Sequence, residues 1–385
     1  MDIGALDWEW NPHARSRLDE VGWPDPGQAR AFHRALPGYA PTPLWRLAGL
    51  GAELGVERLW IKDEAARFGL NAFKVLGASY GVYRVLLRRS AERGVPPPVP
   101  GQMLTGKQRE GLGSPAMVAA TEGNHGRAVA WAAARLGLPS VIFMRRTTHP
   151  ARVRACEAEG ATVVRVEGTY DDAVRAADQA ARENDWELVS DMGYPGYLEV
   201  PRAIADGYRT LFSEVDEALA TQGEAPPTCV VVQAGVGGLA SAAVLQLRQG
   251  TPPRPPLLVT VEPREADCLL ESVRSVDAQL CPTRGGQRTL MAGLNCGTPS
   301  LAAWPLLRQG VDLFVSIEDP AAVEAVRRLA HPVGGDAEVQ SGASGAAGLG
   351  ALLALREAGL SQPWVTRCLG PQARVLLINT EGPLR

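Results

Sequence analysis

Short apolar runs alternate with longer amphipathic stretches along most of the chain. Leu59-Trp-Ile-Lys62, Met117-Val-Ala-Ala120, Ser140-Val-Ile-Phe-Met144 and Thr162-Val-Val-Arg-Val166 have the length and β-branched content of strands. The same pattern returns at Thr228-Cys-Val-Val-Val-Gln233, Leu257-Leu-Val-Thr-Val261, Leu313-Phe-Val-Ser-Ile317 and Val375-Leu-Leu-Ile-Asn379. Helical patterns lie between them, including one after Lys74, one from Asn124 to Leu136 and one from Ala240 to Leu247. Strand and helix in turn predict βαβ units, parallel-rich sheets and an α/β fold. Folds of this kind bind ligands beyond the carboxyl ends of their strands, where strand-to-helix loops meet.

One stretch breaks the pattern. Gly94-Val-Pro-Pro-Pro-Val-Pro-Gly101 continues in polar, glycine-rich form to about Ser114. Its prolines remove backbone donors, which predicts a surface insertion between elements, with a disordered or lid role as the alternative. No internal repeat is evident. At 385 residues the chain exceeds the ~250–300 at which one core stops growing, so two domains are expected.

A formal charge of -3 and 45% hydrophobic content describe an ordinary soluble chain and argue against nucleic-acid binding as its main task. The first ten residues hold three acids and no basic residue before an apolar run, and no apolar stretch approaches the ~20 residues of a membrane span. A cytoplasmic protein with a small-molecule partner, and neither nucleic acid nor membrane, is the expectation. Its six cysteines show no Cys-x-x-Cys spacing, so free thiols are expected, with a Cys268 to Cys296 pair as the one pairing left open. The five histidines have no ligand-type spacing, so no metal is expected.

Candidate chemistry starts with an imbalance: only three of the 39 Lys+Arg residues are lysine. Lysine alone of the two can lose its proton near neutral pH and attack a carbonyl. Lys107 lies in the polar run Thr105-Gly-Lys-Gln-Arg-Glu110 and reads as surface charge, whereas Lys62 belongs to a strand-end Lys-Asp-Glu. Lys74, in Phe68-Gly-Leu-Asn-Ala-Phe-Lys-Val-Leu-Gly77, is the first candidate for covalent chemistry.

Two loops add to it. Ala234-Gly-Val-Gly-Gly-Leu-Ala-Ser-Ala242 follows an apolar strand and leads into a helix, where converging N–H groups suit a phosphate. It matches neither Gly-x-Gly-x-x-Gly nor a nucleotide P-loop, and tight packing would explain it equally well. Thr121-Glu-Gly-Asn-His-Gly126 opens an alanine-rich helix, with Asn124 able either to cap it or to contact a ligand. His125 reads as a packing or orienting residue.

Taken in order, Tyr39-Ala-Pro-Thr-Pro-Leu44, Arg67-Phe-Gly-Leu-Asn-Ala-Phe-Lys74, Ala120-Thr-Glu-Gly-Asn-His-Gly126, Gly235-Val-Gly-Gly238, Met291-Ala-Gly-Leu-Asn-Cys-Gly297, Ser341-Gly-Ala-Ser-Gly345 and Asn379-Thr-Glu-Gly382 span nearly the whole chain. In them the sequence resembles the fold type II pyridoxal-phosphate enzymes, related to the tryptophan synthase β fold, and most closely the diaminopropionate ammonia-lyase family. The resemblance implies a larger domain of residues 1–77 and 191–385, holding the phosphate loop and the C-terminal strand. It implies a smaller domain of residues 78–190 carrying Thr121–Gly126, with pyridoxal 5'-phosphate in the cleft between them.

Carried over by motif, Lys74 would hold the cofactor covalently and act as a base. Gly235, Val236, Gly237, Gly238 and Leu239 would hold the phosphate, Asn124 would sit beside the ring hydroxyl, and Thr380 would face the pyridine nitrogen. The family handles both D and L substrates, which implies an acid or base on the opposite face, and its two aspartates match Glu122 and Asp191. The implied reaction is α,β-elimination of 2,3-diaminopropionate to pyruvate and two ammonia by a homodimer. A serine or threonine dehydratase, a β-replacement enzyme and a catalytically silent cofactor-binding module are the alternatives; a nucleotide-binding oxidoreductase would leave Lys74 unexplained. Two departures bear on substrate: Glu122 is one methylene longer than the family's aspartate, and Ala343 stands where the family usually has glutamate. Glu122 is expected to compensate in part for the acid missing at Ala343.

Overall fold

The computed structural model describes residues 3–18, 26–121, 123–249 and 255–384. Among them run the strands β1 (Leu6–Trp10), β2 (Leu44–Arg46), β3 (Arg58–Asp63), β4 (Met117–Ala120), β5 (Ser140–Arg145), β6 (Thr162–Val166), β7 (Glu187–Leu188), β8 (Cys229–Gln233), β9 (Leu257–Pro263), β10 (Leu313–Ile317) and β11 (Arg374–Asn379). They form a seven-stranded sheet in the order β1-β10-β9-β8-β11-β3-β2 and a four-stranded sheet in the order β6-β5-β4-β7. The smaller sheet is all parallel, and the larger is parallel except for its edges, where β1 and β2 run antiparallel to their neighbours. This is the α/β architecture that the alternating pattern predicts.

The chain divides into two compact units. One holds Met1–Trp23, Pro41–Asn71 and Leu211–Leu384; the other holds Pro24–Ala40 and Ala72–Thr210. Helix Lys74–Arg93 therefore lies in the smaller unit, together with the first half of helix Glu199–Gln222. Close packing of these helices is the reason: a Cβ on Gly77 would run into the Tyr208 ring, and one on Gly81 would come within 2.8 Å of Ile204. Lys74, Asn124, His125 and Asp191 thus share one unit, whereas Gly235–Leu239 and Thr380 belong to the other.

Strand β8 of the larger unit is buried along its whole length, as are β9 and β10. Strands covered on both faces favour unbroken apolar runs, and each fully buried Val or Leu contributes about 1.5–3 kcal/mol. In the smaller unit Val118, Phe143, Ala173, Ala177 and Leu188 form a core between sheet and helix.

The segment from Gly94 to Ser114 is not a featureless insertion. Thr105 and Gln108 form a capping box that starts helix Gly106–Gly111, while Leu104 and Leu112 are buried on either side of it. Lys107 is exposed there. All six cysteines are free thiols, so the Cys268 to Cys296 pairing does not form; Cys229 and Cys368 are the pair in contact, with their sulfurs 3.4 Å apart.

Candidate active site

Lys74 is the first residue of its helix, directly after a turn that the sequence builds from unusual backbone. Phe68, Gly69 and Asn71 all have left-handed φ angles, of 50°, 74° and 61°. Asn71 is anchored by its side-chain amide, which donates to the Pro383 carbonyl at 2.8 Å. At Phe68, a bulky non-glycine residue, this backbone costs on the order of 1–3 kcal/mol and persists where surrounding contacts fix it. The lysine leaves the turn with Nζ donating to Asp191 Oδ2 at 2.7 Å, over the rings of Phe73 and Tyr208.

Burial works against the Asp191 charge, but the Lys74 ammonium outweighs it and holds the carboxyl well below the usual carboxylate range. His125 is buried, and its Nε2 lies 2.7 Å from the Val189 carbonyl. A carbonyl only accepts, so Nε2 carries the hydrogen, leaving the buried Nδ1 with a lone pair and no hydrogen-bond partner. Burial also lowers the His125 pKa, which keeps the ring neutral. Tyr208 packs on Phe73 with ring centroids 4.7 Å apart and has a buried hydroxyl. Burial pushes its phenol up, and the Lys74 charge pulls it part of the way back.

At the Thr121–Gly126 loop, Gly123 and not Asn124 occupies the N-cap position, with φ of 156°, in the region that favours glycine. Asn124 is the first helical residue, so its side chain does not cap. Gly126 admits no side chain, because a Cβ would collide with the Thr121 methyl. Glu122 lies outside the described residues.

In the larger unit, β8 ends at Gln233 and the chain passes through Gly235 and Val236 to Gly237, whose φ of 100° starts helix Gly238–Arg248. A Cβ on Gly235 would lie 2.8 Å from Cys296 Sγ, and one on Gly237 would lie 2.6 Å from Leu307. These glycines keep the backbone of the loop bare. The first N–H groups of the helix, at Gly238 and Leu239, have no intrahelical partner, which is the donor set an anionic phosphate requires. Strand β11 brings Thr380 to the same unit, where its Oγ1 accepts from Gln233 Nε2 at 3.0 Å. Ser341–Gly345 packs against this tail: Ser341 Oγ lies 2.7 Å from Asn379 Oδ1, and the Gly342 N–H donates to the Glu381 carbonyl. The larger unit therefore offers bare backbone donors suited to a phosphate, and the smaller one an amine able to bind an aldehyde.

Lys62, the second lysine considered, is excluded by its surroundings. Its Nζ is buried against Glu214 Oε2 and the Thr42 carbonyl, both at 2.6 Å, with Arg67 and Glu64 completing the cluster. Sequence reasoning did not reach Tyr208, Gln233 or this cluster. Gln233 left a trace, as the one amide ending an apolar strand before the glycine loop.

The family model described as pyridoxal-phosphate dependent enzyme matches residues 35–380. The chain is 39% identical over 354 residues to diaminopropionate ammonia-lyase of Salmonella typhimurium, covering 91% of this chain and 87% of that protein. It is 38% identical over 357 residues to the Escherichia coli K12 protein of the same name, covering 92% and 87%. It also matches the crystal structure of diaminopropionate ammonia lyase from Escherichia coli in complex with an aminoacrylate–PLP azomethine reaction intermediate. There the TM-score is 0.85 at 34% identity, over 98% of this chain and 94% of the other.

Proposed function

The chain belongs to the pyridoxal-phosphate-dependent enzyme family, and on that premise we propose that it is a diaminopropionate ammonia-lyase. Its cofactor is pyridoxal 5'-phosphate, and its fold is fold type II. The reaction is α,β-elimination: 2,3-diaminopropionate and water give pyruvate and two molecules of ammonia. When bound, the cofactor supplies an electron sink for the carbanion formed at Cα.

The chain's own residues supply the rest. Lys74 offers the amine that holds the cofactor and, once displaced by the substrate amine, takes the Cα proton of one enantiomer. Asp191 accepts a hydrogen bond from that amine and, with Glu122, serves as acid or base for the other enantiomer. The N–H groups around Gly235–Leu239 hold the phosphate, Asn124 meets the ring hydroxyl and Thr380 meets the ring nitrogen. A cytoplasmic homodimer acting on a free amino acid completes the reading.

The observation that carries it is the 2.7 Å contact between Lys74 and Asp191. Here a lysine at a strained turn meets a carboxylate that stays ionised, in a chain with two other lysines, one buried in an ion pair and one exposed. The test is stoichiometry. D- and L-diaminopropionate should each yield two ammonia per pyruvate, whereas serine or threonine would release one. Borohydride should fix the cofactor to the peptide containing Lys74. Purified protein that gains no visible absorbance on addition of pyridoxal phosphate would overturn the assignment.

A further inference from the structure

Gln233 ends β8 one residue before the glycine-rich loop and is 2% exposed. Its Nε2 lies 2.8 Å from the Ile378 carbonyl, 2.9 Å from that of Gly345, 3.0 Å from that of Ser344 and 3.0 Å from Thr380 Oγ1. Three of these four partners are backbone carbonyls, which can only accept. Turning the amide over would place Oε1 against three carbonyl oxygens, so the orientation is fixed by repulsion as well as attraction. Oε1 is left buried with no hydrogen-bond partner, a cost the side chain bears to keep its N–H groups on these acceptors.

The consequence falls on Thr380. Its hydroxyl can both donate and accept, and nothing in its own chemistry decides between them. Because the facing atom of Gln233 is a donor, the hydroxyl accepts there, and its hydrogen points away from Gln233. We propose that Gln233 is a positioning residue that directs the Thr380 hydrogen at the nitrogen of the bound cofactor ring and so keeps that nitrogen unprotonated. The inference rests on the reading that Thr380 faces the nitrogen. A nitrogen that accepts a hydrogen bond has its lone pair engaged, and the electropositive end of the Gln233 amide further disfavours a positive charge beyond the hydroxyl. An unprotonated ring is the weaker electron sink, which favours rapid expulsion of a β-substituent over the long-lived carbanion that transamination needs.

The experiment loads wild-type protein, Gln233→Met and Thr380→Asp with pyridoxal phosphate carrying ¹⁵N in the ring. The ¹⁵N magnetic resonance shift, which reports protonation directly, is followed without substrate across neutral and mildly alkaline pH. Wild type should show a hydrogen-bonded, unprotonated nitrogen throughout, and Thr380→Asp a protonated one. Gln233→Met, which keeps the shape and loses the donor, should raise the nitrogen's titration midpoint by roughly one pH unit, the size of one hydrogen bond's net worth. A Gln233→Met spectrum identical to wild type, with Thr380→Asp shifted, overturns the proposal and leaves the placement of Thr380 standing. No shift in Thr380→Asp overturns both. Should Gln233→Met fail to fold, Gln233→Leu is read in the same way, and a protonated wild-type ring overturns the proposal whatever the variants show.

Discussion

Lys74 Nζ and Asp191 Oδ2 are 2.7 Å apart, with side-chain exposures of 21% and 13%. They lie between the surface pair, worth little, and the buried pair, whose breakage is severe. Geometry here favours a charge-assisted hydrogen bond over a loose contact.

Replacing Asp191 with Asn should lower the stability of the cofactor-free protein by about 1–2 kcal/mol, and the loss should depend on pH. The folded Asp191 carboxyl titrates below its unfolded value of ~3.9. Between those two values the unfolded chain binds more protons, so stability falls as pH falls. The difference between wild type and variant should be complete above about pH 5 and shrink below about pH 4. Urea unfolding at a series of pH values reads it, and a difference constant from pH 7 to the acid limit would contradict the pairing.

Tyr208→Phe should separate stability from turnover. The hydroxyl is buried and interacts with the Lys74 ammonium, so its removal should change cofactor-free stability by no more than about 1 kcal/mol. If the phenol serves the Lys74 amine once that amine is displaced, kcat should fall about 10-fold or more at nearly constant KM. Equal stability with equal kcat would assign Tyr208 to packing alone.

The glycine loop makes a sharper demand. At Gly237 a φ of 100° and a Cβ only 2.6 Å from Leu307 combine strain with collision, so Gly237→Ala should move the loop backbone. A displacement of about 1 Å can cost ~100-fold in rate, and cofactor affinity should weaken alongside it. Titration with pyridoxal phosphate, followed by visible absorbance, measures the affinity. Gly223, equally left-handed but with nothing within 4 Å of its Cβ, is the control position.

Much of this arrangement was legible in the residues. The β4, β6 and β10 runs and helix Asn124–Leu136 have the boundaries that the pattern predicts, because short apolar runs set between polar or turn residues and an alanine-rich stretch leave little choice. Strands β1, β2 and β7 were not anticipated: β2 and β7 span three and two residues, too few for any period to show. Lys74 stood out through the scarcity of lysine, whereas Tyr208 sits on an ordinary amphipathic helix and becomes significant only where that helix crosses Gly77. Asn124 illustrates a different limit. Its residue type is a good N-cap, yet Gly123 takes that position through a backbone angle that composition does not reveal.

Lys62 offers the most demanding test of the scaffold. Lys62, Arg67, Glu64 and Glu214 are each exposed by 1% or less, and the two cations balance the two carboxylates. Burial lowers the Lys62 pKa, and the carboxylates of Glu64 and Glu214 oppose that shift. Lys62→Met would leave Arg67 facing two buried carboxylates, and an uncompensated buried charge costs about 3–5 kcal/mol. Adding Glu214→Gln removes one carboxylate and restores the balance, so the double variant should recover a large part of that loss despite carrying a second substitution. Urea midpoints of the wild type, both single variants and the double variant complete a mutant cycle. Additive losses would mean that Lys62 and Glu214 act independently, which a 2.6 Å contact between two buried charges does not permit.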